Sequence, residues 1–273
     1  MKSFTKEELI HLLQNIAQRG WIENYRGKNN GAVGNIIEDL LGIEENNLPI
    51  PNAAEWELKA QRSQSNSLLT LFHCEPSPTA LRIVPNLLLP NYGWPHKLAA
   101  IKYPNEEMSF RATINTKTAN ERGFYVVAND SERRIEIHFS EKAVDDKHLQ
   151  WLKSIKRRAD YNADLNPIPY WGYDDLCYKA GTKLKNCFFI EAETKKEKVN
   201  NHFVEFFKYS YILKLSGFSS QAFIDGIKQG LVYIDFDART GHNHGTKFRV
   251  NSNYIPSFYS DKEVIIDCRK ENE

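Results

Sequence analysis

The chain has 273 residues, of which 41% are hydrophobic and 12% aromatic, so it can fill the core of one large domain or two modest lobes. Its 36 Lys and Arg residues against 35 Asp and Glu give a formal net charge of +1. Bulk charge therefore neither indicates nor excludes a nucleic-acid partner, and any surface for a polyanion must come from local clustering.

The cysteines and the N-terminal segment indicate in which cellular compartment the protein is expected. The four cysteines are scattered, without a Cys-x-x-Cys pair or a histidine at zinc-finger spacing, which favours reduced thiols in a cytosolic protein. The segment MKSFTKEELIHLLQ has charges inside its apolar pattern, so it indicates neither a signal peptide nor a membrane span. The sequence therefore predicts a cytoplasmic protein with no membrane partner.

Two helices are predicted at the start of the chain. Thr5 precedes KEELIHLLQNIAQRG, in which apolar residues recur at helical spacing up to Gly20. A second helix is expected to begin near Gly34 and to end at Gly42, with Glu38 beside its apolar stripe.

The remainder of the chain mixes strands and helices. Helical patterns occur at about 145–158, 173–184 and 219–229. Runs with strand character are AEWELKA, SLLTLF, GFYVVA, RRIEIHF, NCFFIEAE, HFVEFFKYSYIL, LVYIDFD and EVIIDC. This mixture predicts an α/β or α+β fold.

A segment rich in Pro, Asn and Gly separates some of these runs. It covers residues 76–123 and is expected to be a long, loop-rich excursion. We place a lobe boundary within 140–165.

The stretch NNLPIPNAAEWELKAQR, residues 46–62, carries recognisable chemistry. Glu55, Glu57 and Lys59 alternate with two apolar residues, so on a β-strand the three charged side chains share one face. A carboxylate in such a Glu-x-Lys pair can hold a divalent cation, and the ammonium group can orient water or stabilise charge on a phosphate. A solvated surface ion pair, worth under about 1 kcal/mol, is the ordinary alternative.

The sequence around this pair resembles the MvaI/BcnI restriction endonucleases, a branch of the PD-(D/E)xK nuclease superfamily related to the repair nickase MutH. The matching segments are RGW, the glycine-spaced helix with Glu38, ENNLPIPN, EWELK, SLLTLF and, near the C-terminus, GHNHGTKFRVN. The resemblance implies a mixed central β-sheet flanked by helices, with a second lobe for DNA recognition. We assign the catalytic lobe to 1–150 and the recognition lobe to 151–273.

The resemblance also implies roles for particular residues. Glu57 and Lys59 would be the acid and the lysine of the motif, and Glu38 the helix carboxylate near the metal or the lysine. The motif aspartate falls on Asn52, which would join Glu57 as a ligand of Mg²⁺ through a neutral oxygen. Either the chain is an inactivated form, or another carboxylate such as Glu55 compensates. A surface acid and a turn residue are the ordinary alternatives for Glu38 and Asn52.

Two further residues near the motif are candidates. His73, at the end of the next predicted strand, could order water or contact the scissile phosphate, with a structural histidine as the alternative. Arg62 lies just beyond the motif strand and is a candidate phosphate contact.

A second cluster of polar residues lies in DARTGHNHGTKFR at 237–249, which is expected to form a loop bracketed by glycines. Arginine donors suit guanine and asparagine suits adenine in the major groove. A His-x-His metal site, which lacks a third ligand at convincing spacing, and a solvated loop are the alternatives. The candidate DNA-binding residues are Arg239, His242, Asn243, His244, Lys247 and Arg249.

These patterns favour one function over two others. The resemblance to the MvaI/BcnI family implies the favoured function, a monomeric type II restriction endonuclease with a cognate DNA methyltransferase as a functional partner. Such an enzyme would use Mg²⁺ to hydrolyse a short specific site in double-stranded DNA. The alternatives are a catalytically impaired DNA-binding protein, because of Asn52, and a strand-nicking repair enzyme like MutH.

Overall fold

The structure is a computed structural model. It describes residues 4–27, 29, 31–43, 51, 53 and 55–269, and Asn52 lies outside them. Within these ranges, no helix has the length and apolarity needed to cross a membrane.

The chain mixes helices and strands, as predicted. The α-helices are α1 Lys6–Gln18, α2 Ala32–Leu41, α3 Leu89–Tyr92, α4 Leu149–Ile155, α5 Tyr173–Leu184 and α6 Ser220–Lys228. The strands are β1 Ile22–Glu23, β2 Glu57–Arg62, β3 Leu69–His73, β4 Trp94–Pro95, β5 Met108–Ile114, β6 Arg122–Asn129, β7 Arg134–Val144, β8 Tyr170–Gly172, β9 Asn186–Val199, β10 His202–Phe218, β11 Val232–Arg239, β12 His242–Val250 and β13 Tyr259–Asp267.

The first two helices follow from local signals. The Thr5 hydroxyl accepts a hydrogen bond from the backbone N–H of Glu8, and the Glu8 carboxylate accepts one from the backbone N–H of Thr5. This capping box satisfies N–H groups that the first helical turn leaves unpaired. Helix α2 ends at Gly42, whose φ of 69° is accessible to glycine at little cost. Both predicted helices are confirmed, and α2 begins at Ala32, slightly before Gly34.

The chain forms two compact units. Unit 1 consists of the described residues of Met1–Leu69, Lys179–Ser219 and Ser252–Glu273, and unit 2 of Thr70–Tyr178 and Ser220–Asn251.

Unit 1 contains a five-stranded mixed sheet in the order β1-β10-β9-β2, with β13 also paired to β10. Strand β2 is parallel to β9, and β10 runs antiparallel to β9, β1 and β13. Helices α1 and α2 contribute to the apolar core together with Trp56, Leu58 and Phe188. Trp56 and Leu58 are therefore buried, as the alternation in the motif predicted.

The two units interleave along the chain, which differs from a single boundary between 1–150 and 151–273. Strands β9, β10 and β13 belong to the C-terminal half, but they form the sheet that contains β1 and β2. Strand pairing between distant segments therefore sets the units. The catalytic and recognition roles given to the two halves stay predictions.

Unit 2 contains a five-stranded sheet in the order β3-β12-β11-β5-β4 and a three-stranded sheet in the order β6-β7-β8. Strand β5 lies inside the segment 76–123 that was expected to be rich in loops, so that expectation is wrong there. In MSFRATI, Phe110, Ala112 and Ile114 are buried and alternate with exposed residues, which is the strand period.

The expected loop at 237–249 is instead a β-hairpin of β11 and β12. Gly241, with φ of 69°, lies in the turn, and Gly245, with φ of 85°, lies where β12 has one residue more than β11. A glycine with positive φ is typical of such a bulge. The glycines therefore allow a turn and a bulge within a continuous hairpin.

Candidate active site

The carboxylate of Glu57, at the start of β2, lies between two lysines of unit 1. The Lys59 Nζ is 2.6 Å from Glu57 Oε1, and the Lys183 Nζ is 3.0 Å from Glu57 Oε2. The Glu57 side chain is 2% exposed, and those of Lys59 and Lys183 are 13% and 10% exposed. One buried carboxylate thus faces two ammonium groups, which gives this trio a formal charge of +1.

Pairing between β2 and β9 brings these side chains together. Glu57 is in register with Cys187, and Lys59 with Phe189. Lys183 lies in the last turn of α5, shortly before β9 begins at Asn186, so its ammonium group reaches the end of the sheet where Glu57 lies.

A thiol and a phenol lie close to the Glu57 carboxylate. Burial raises the pKa of the Cys187 thiol to about 12, and burial together with the neighbouring Cys187 raises the pKa of the Tyr259 phenol well above its ordinary value. Both groups therefore stay neutral near pH 7 and add no negative charge beside Glu57.

Gln61 is the next residue on the same face of β2 as Glu57 and Lys59. Its Nε2 donates a hydrogen bond to the Ser252 hydroxyl, and its Oε1 is buried without a hydrogen-bond partner in the part of the chain that the structure describes. A buried acceptor of this kind can bind a water molecule. Gln61 was not among the predicted site residues, although the two-residue period of a strand places it on the same face as Glu57 and Lys59.

Arg62, the predicted phosphate contact, is held by a carboxylate of unit 1. Its Nε and Nη2 donate to Glu205 Oε1 and Oε2 at 3.1 and 2.9 Å, and its guanidinium group lies 5.1 Å from the centre of the Phe207 ring. This paired arrangement fixes the side chain within unit 1. Its contact with phosphate stays a prediction.

Unit 2 presents a sheet face with ion pairs across β5, β11 and β12, which we call the charged face. Its residues are Arg111, Asp235, Asp237, Arg239, Lys247 and Arg249. Arg111 Nε is 2.6 Å from Asp237 Oδ1, and Arg249 Nη1 is 3.2 Å from Asp235 Oδ2. Phe110, Phe236 and Phe248 alternate with these residues and are buried.

Further contacts fix the remaining predicted DNA-binding residues. Arg239 pairs with Glu107 at 3.0 Å, and Lys247 lies 3.4 Å from Asp237. Asn243 Nδ2 donates a hydrogen bond of 3.4 Å to Glu75. The structure therefore places carboxylates beside the predicted cations, so this surface offers both donors and acceptors.

The two histidines of the hairpin pack against each other, with ring centres 4.2 Å apart for His242 and His244. Burial lowers the pKa of His244, so it is mostly neutral near pH 7. Burial would raise the pKa of Asp237, but the hydrogen bond from Arg111 and the nearby positive charges hold it below its ordinary value.

Comparison with known proteins decides the family. The sequence model of the MvaI/BcnI restriction endonuclease family matches residues 10–259. The chain belongs to this family. Among curated proteins, no match was found.

Solved structures of a family member show the fold. The structure described as restriction endonuclease MvaI–cognate DNA substrate complex has a TM-score of 0.72 and 23% identity, and the match covers 97% of this chain and 100% of that chain. Restriction endonuclease MvaI in the absence of DNA has a TM-score of 0.50, with the same identity and coverage. The predicted PD-(D/E)xK-type fold of the MvaI/BcnI family is confirmed.

One residue of the family motif segment is placed differently from the prediction. Strand β2 begins at Glu57, and Glu55 is exposed in a turn closed by the bridge between Ala53 and Trp56. Glu55 therefore does not share a strand face with Glu57 and Lys59, because the chain turns before the strand starts. The idea that Glu55 compensates for Asn52 has no support from this geometry.

Catalytic roles were also predicted for Glu38, His73 and Asn52, and the structure describes the first two of these residues. Glu38 is half-buried on α2, which packs against β2 in unit 1. His73 is the last residue of β3 in unit 2. Its ring lies so close to Gly245 that a Cβ atom at that position would be only 3.2 Å from the ring. Asn52 is outside the described residues. The catalytic roles of Glu38, His73 and Asn52 stay predictions.

The donor set at Glu57 is compatible with Mg²⁺. The described segments contain no group of three or more His, Cys, Asp or Glu residues that could hold a metal ion. Mg²⁺ is commonly bound by one or two carboxylates, with water and substrate phosphates as the other ligands. Glu57 is one such carboxylate, with its two oxygens paired to Lys59 and Lys183, and its role as a metal ligand stays a prediction. The alternative of a His-x-His metal site at His242 and His244 gains no third ligand from the described residues.

Proposed function

We propose that the protein is a type II restriction endonuclease that hydrolyses phosphodiester bonds at a short specific site in double-stranded DNA, acting as a monomer with Mg²⁺. The observation that carries the proposal is the buried Glu57 carboxylate with the Lys59 ammonium at 2.6 Å on the family's motif strand. A solved structure similar to this chain is a complex of restriction endonuclease MvaI with its cognate DNA substrate, which supports DNA as the substrate in this proposal.

Each residue of the site has a proposed task. Glu57 and Asn52 would hold Mg²⁺, which when bound would polarise the phosphate and lower the pKa of a coordinated water. Lys59 would stabilise negative charge that develops on the phosphate, because an ammonium group in a water-poor site interacts strongly with an anion. Gln61 could hold a water near this face through its buried Oε1.

The charged face and its hairpin would read the DNA sequence. Donors from arginine, lysine and asparagine and acceptors from aspartate can match the pattern of hydrogen-bonding groups on base edges in the major groove. The ion pairs within the face hold these side chains in place before DNA binds, which lowers the entropy lost on binding. A cognate DNA methyltransferase would protect the same site in the host's own DNA.

Two other functions remain as alternatives. A sequence-specific DNA-binding protein with impaired catalysis is favoured by Asn52, where the family motif has an aspartate. A nicking enzyme would have the same site but would cut one strand only.

Exchanging Asn52 for Asp is expected to increase cleavage of supercoiled plasmid in Mg²⁺ by about tenfold or more, because a charged carboxylate binds a hard cation more strongly than an amide oxygen. The parent, the Asn52→Asp variant and an Asn66→Asp control, which adds the same charge at an exposed loop position, are incubated side by side. Linear product supports a restriction endonuclease, and open circles that persist support a nickase. A mobility shift without cleavage in both the parent and the Asn52→Asp variant supports the binding protein and overturns the proposal.

Replacing Arg249 by Ala is expected to weaken binding to the cognate duplex by about 1 to 3 kcal/mol and binding to a scrambled duplex much less, because phosphate contacts elsewhere are retained. The measurement is the dissociation constant in Ca²⁺ at several salt concentrations. His244→Ala tests the hairpin in the same way, and Arg157→Ala is the control for loss of an exposed arginine. An equal loss on both duplexes would assign the hairpin to phosphate contacts.

A further inference from the structure

Lys183 is a buried lysine at the active site that lies outside the motif. Its side chain is 10% exposed, although lysines are rarely buried unless they are paired. Its Nζ contacts Glu57 Oε2 at 3.0 Å, while Lys59 contacts Oε1. Both oxygens of the candidate metal ligand thus accept hydrogen bonds from lysines.

The local fold explains why this ammonium group is buried. Leu184 and Ala180 of α5 are buried beside Lys183, whereas Thr182 and Lys185 are exposed. The end of α5 is therefore fixed by its apolar residues with Lys183 turned inward. Removing an ammonium group from water is costly, and here the Glu57 carboxylate offsets the cost.

We propose that Lys183 is a positioning residue that holds the Glu57 carboxylate as a built-in counter-ion and competes with the divalent cation for it. The inference rests on the proposed function, because it takes Glu57 as a metal ligand. Two cations that share one carboxylate in a partly buried site repel each other, and water screens this repulsion poorly there. Metal binding then requires Lys183 to loosen its contact with Oε2.

The two lysines have different places in this arrangement. Lys59 is on the same strand as Glu57 and belongs to the motif, whereas Lys183 comes from a helix far away in the sequence. When Lys183 is replaced by Met, the Glu57–Lys59 pair remains and the trio changes from a formal charge of +1 to a neutral pair. The cation then meets one ammonium group instead of two.

The experiment measures metal binding without DNA, so it does not depend on cleavage. Mn²⁺ alone is titrated by calorimetry into the full chain and into Lys183→Met, which is expected to bind about tenfold more tightly because one repulsive charge is gone. Lys183→Arg keeps the charge and is expected to bind no more tightly than the parent. Lys185→Met removes an exposed charge next to the site and is expected to leave the affinity unchanged.

Further variants keep the result interpretable. Lys183→Gln, which can still donate a hydrogen bond to Glu57, replaces Lys183→Met if the latter fails to fold, and the same tightening is expected. Glu57→Gln tests the ligand itself. If Glu57→Gln binds Mn²⁺ as the parent does, the metal site of the proposed function and the inference on Lys183 both fail. If Glu57→Gln loses Mn²⁺ and the Lys183 variants bind as the parent or more weakly, only the inference on Lys183 is overturned.

Discussion

Replacing Lys59 by Met is expected to reduce Mg²⁺-dependent cleavage by at least about 100-fold, because the charge that would stabilise the reacting phosphate is lost. DNA affinity is expected to stay within about tenfold, since one lysine is a small part of the total contact with phosphates. The measurements are single-turnover cleavage of the cognate duplex in Mg²⁺ and equilibrium binding in Ca²⁺.

The structure makes this variant a clean test of Lys59. Glu57 keeps its contact with Lys183 at 3.0 Å, so its carboxylate still has a cationic partner and the variant is expected to fold. Lys185→Met is the control for loss of an exposed lysine in unit 1 and is expected to cleave as the parent does. Full activity in Lys59→Met would show that the catalytic site lies elsewhere in the chain.

Local signals were enough to predict much of the fold. The capping box of Thr5 and Glu8 and the stop at Gly42 depend on residues within one or two helical turns, so the sequence contains them in full. Strand character in the runs GFYVVA, NCFFIEAE and LVYIDFD likewise predicted β6, β9 and β11. Alternation also predicted Glu57 and Lys59 on one strand, and their ammonium–carboxylate contact is present.

Features that depend on distant segments could not be predicted in this way. Lys183 reaches Glu57 only because β9 pairs in parallel with β2, and periodicity within α5 does not indicate its partner. The ion pair between Arg111 and Asp237 likewise depends on the pairing of β5 with β11. Long-range pairing also decides how the chain divides into units.

The error at Glu55 has a local cause. Alternation of charged and apolar residues extends from Glu55 through Lys59, but the bridge between Ala53 and Trp56 closes a turn before β2 begins. A short alternating pattern does not mark where a strand starts. The prediction started the strand at Glu55, two residues before β2 begins at Glu57, and so placed Glu55 on the face of Glu57.

Replacing Glu57 by Gln is expected to lower the free energy of unfolding by about 3 kcal/mol, because the buried ammonium groups of Lys59 and Lys183 lose their carboxylate. It is also expected to abolish cleavage, since Gln supplies no charged ligand for a hard cation. The stability measurement is urea denaturation of the parent and the variant. A lower urea concentration at the unfolding midpoint, with an unchanged m value, reports the loss of stability.

A double-mutant cycle measures the interaction free energy between Glu57 and Lys183 apart from their other contacts. Adding Lys183→Met to Glu57→Gln is expected to cost less than the sum of the two single changes, with a coupling of about 1 to 3 kcal/mol, because the second change removes a charge that the first left unpaired. The control cycle uses the exposed pair of Lys147 and Glu121, 2.7 Å apart, where a coupling below about 1 kcal/mol is expected. If both cycles give the same small coupling, the contact of Lys183 with Glu57 contributes no more than a solvated pair. Burial would then not strengthen this contact, and Lys183 would lose its role as the counter-ion of the active site.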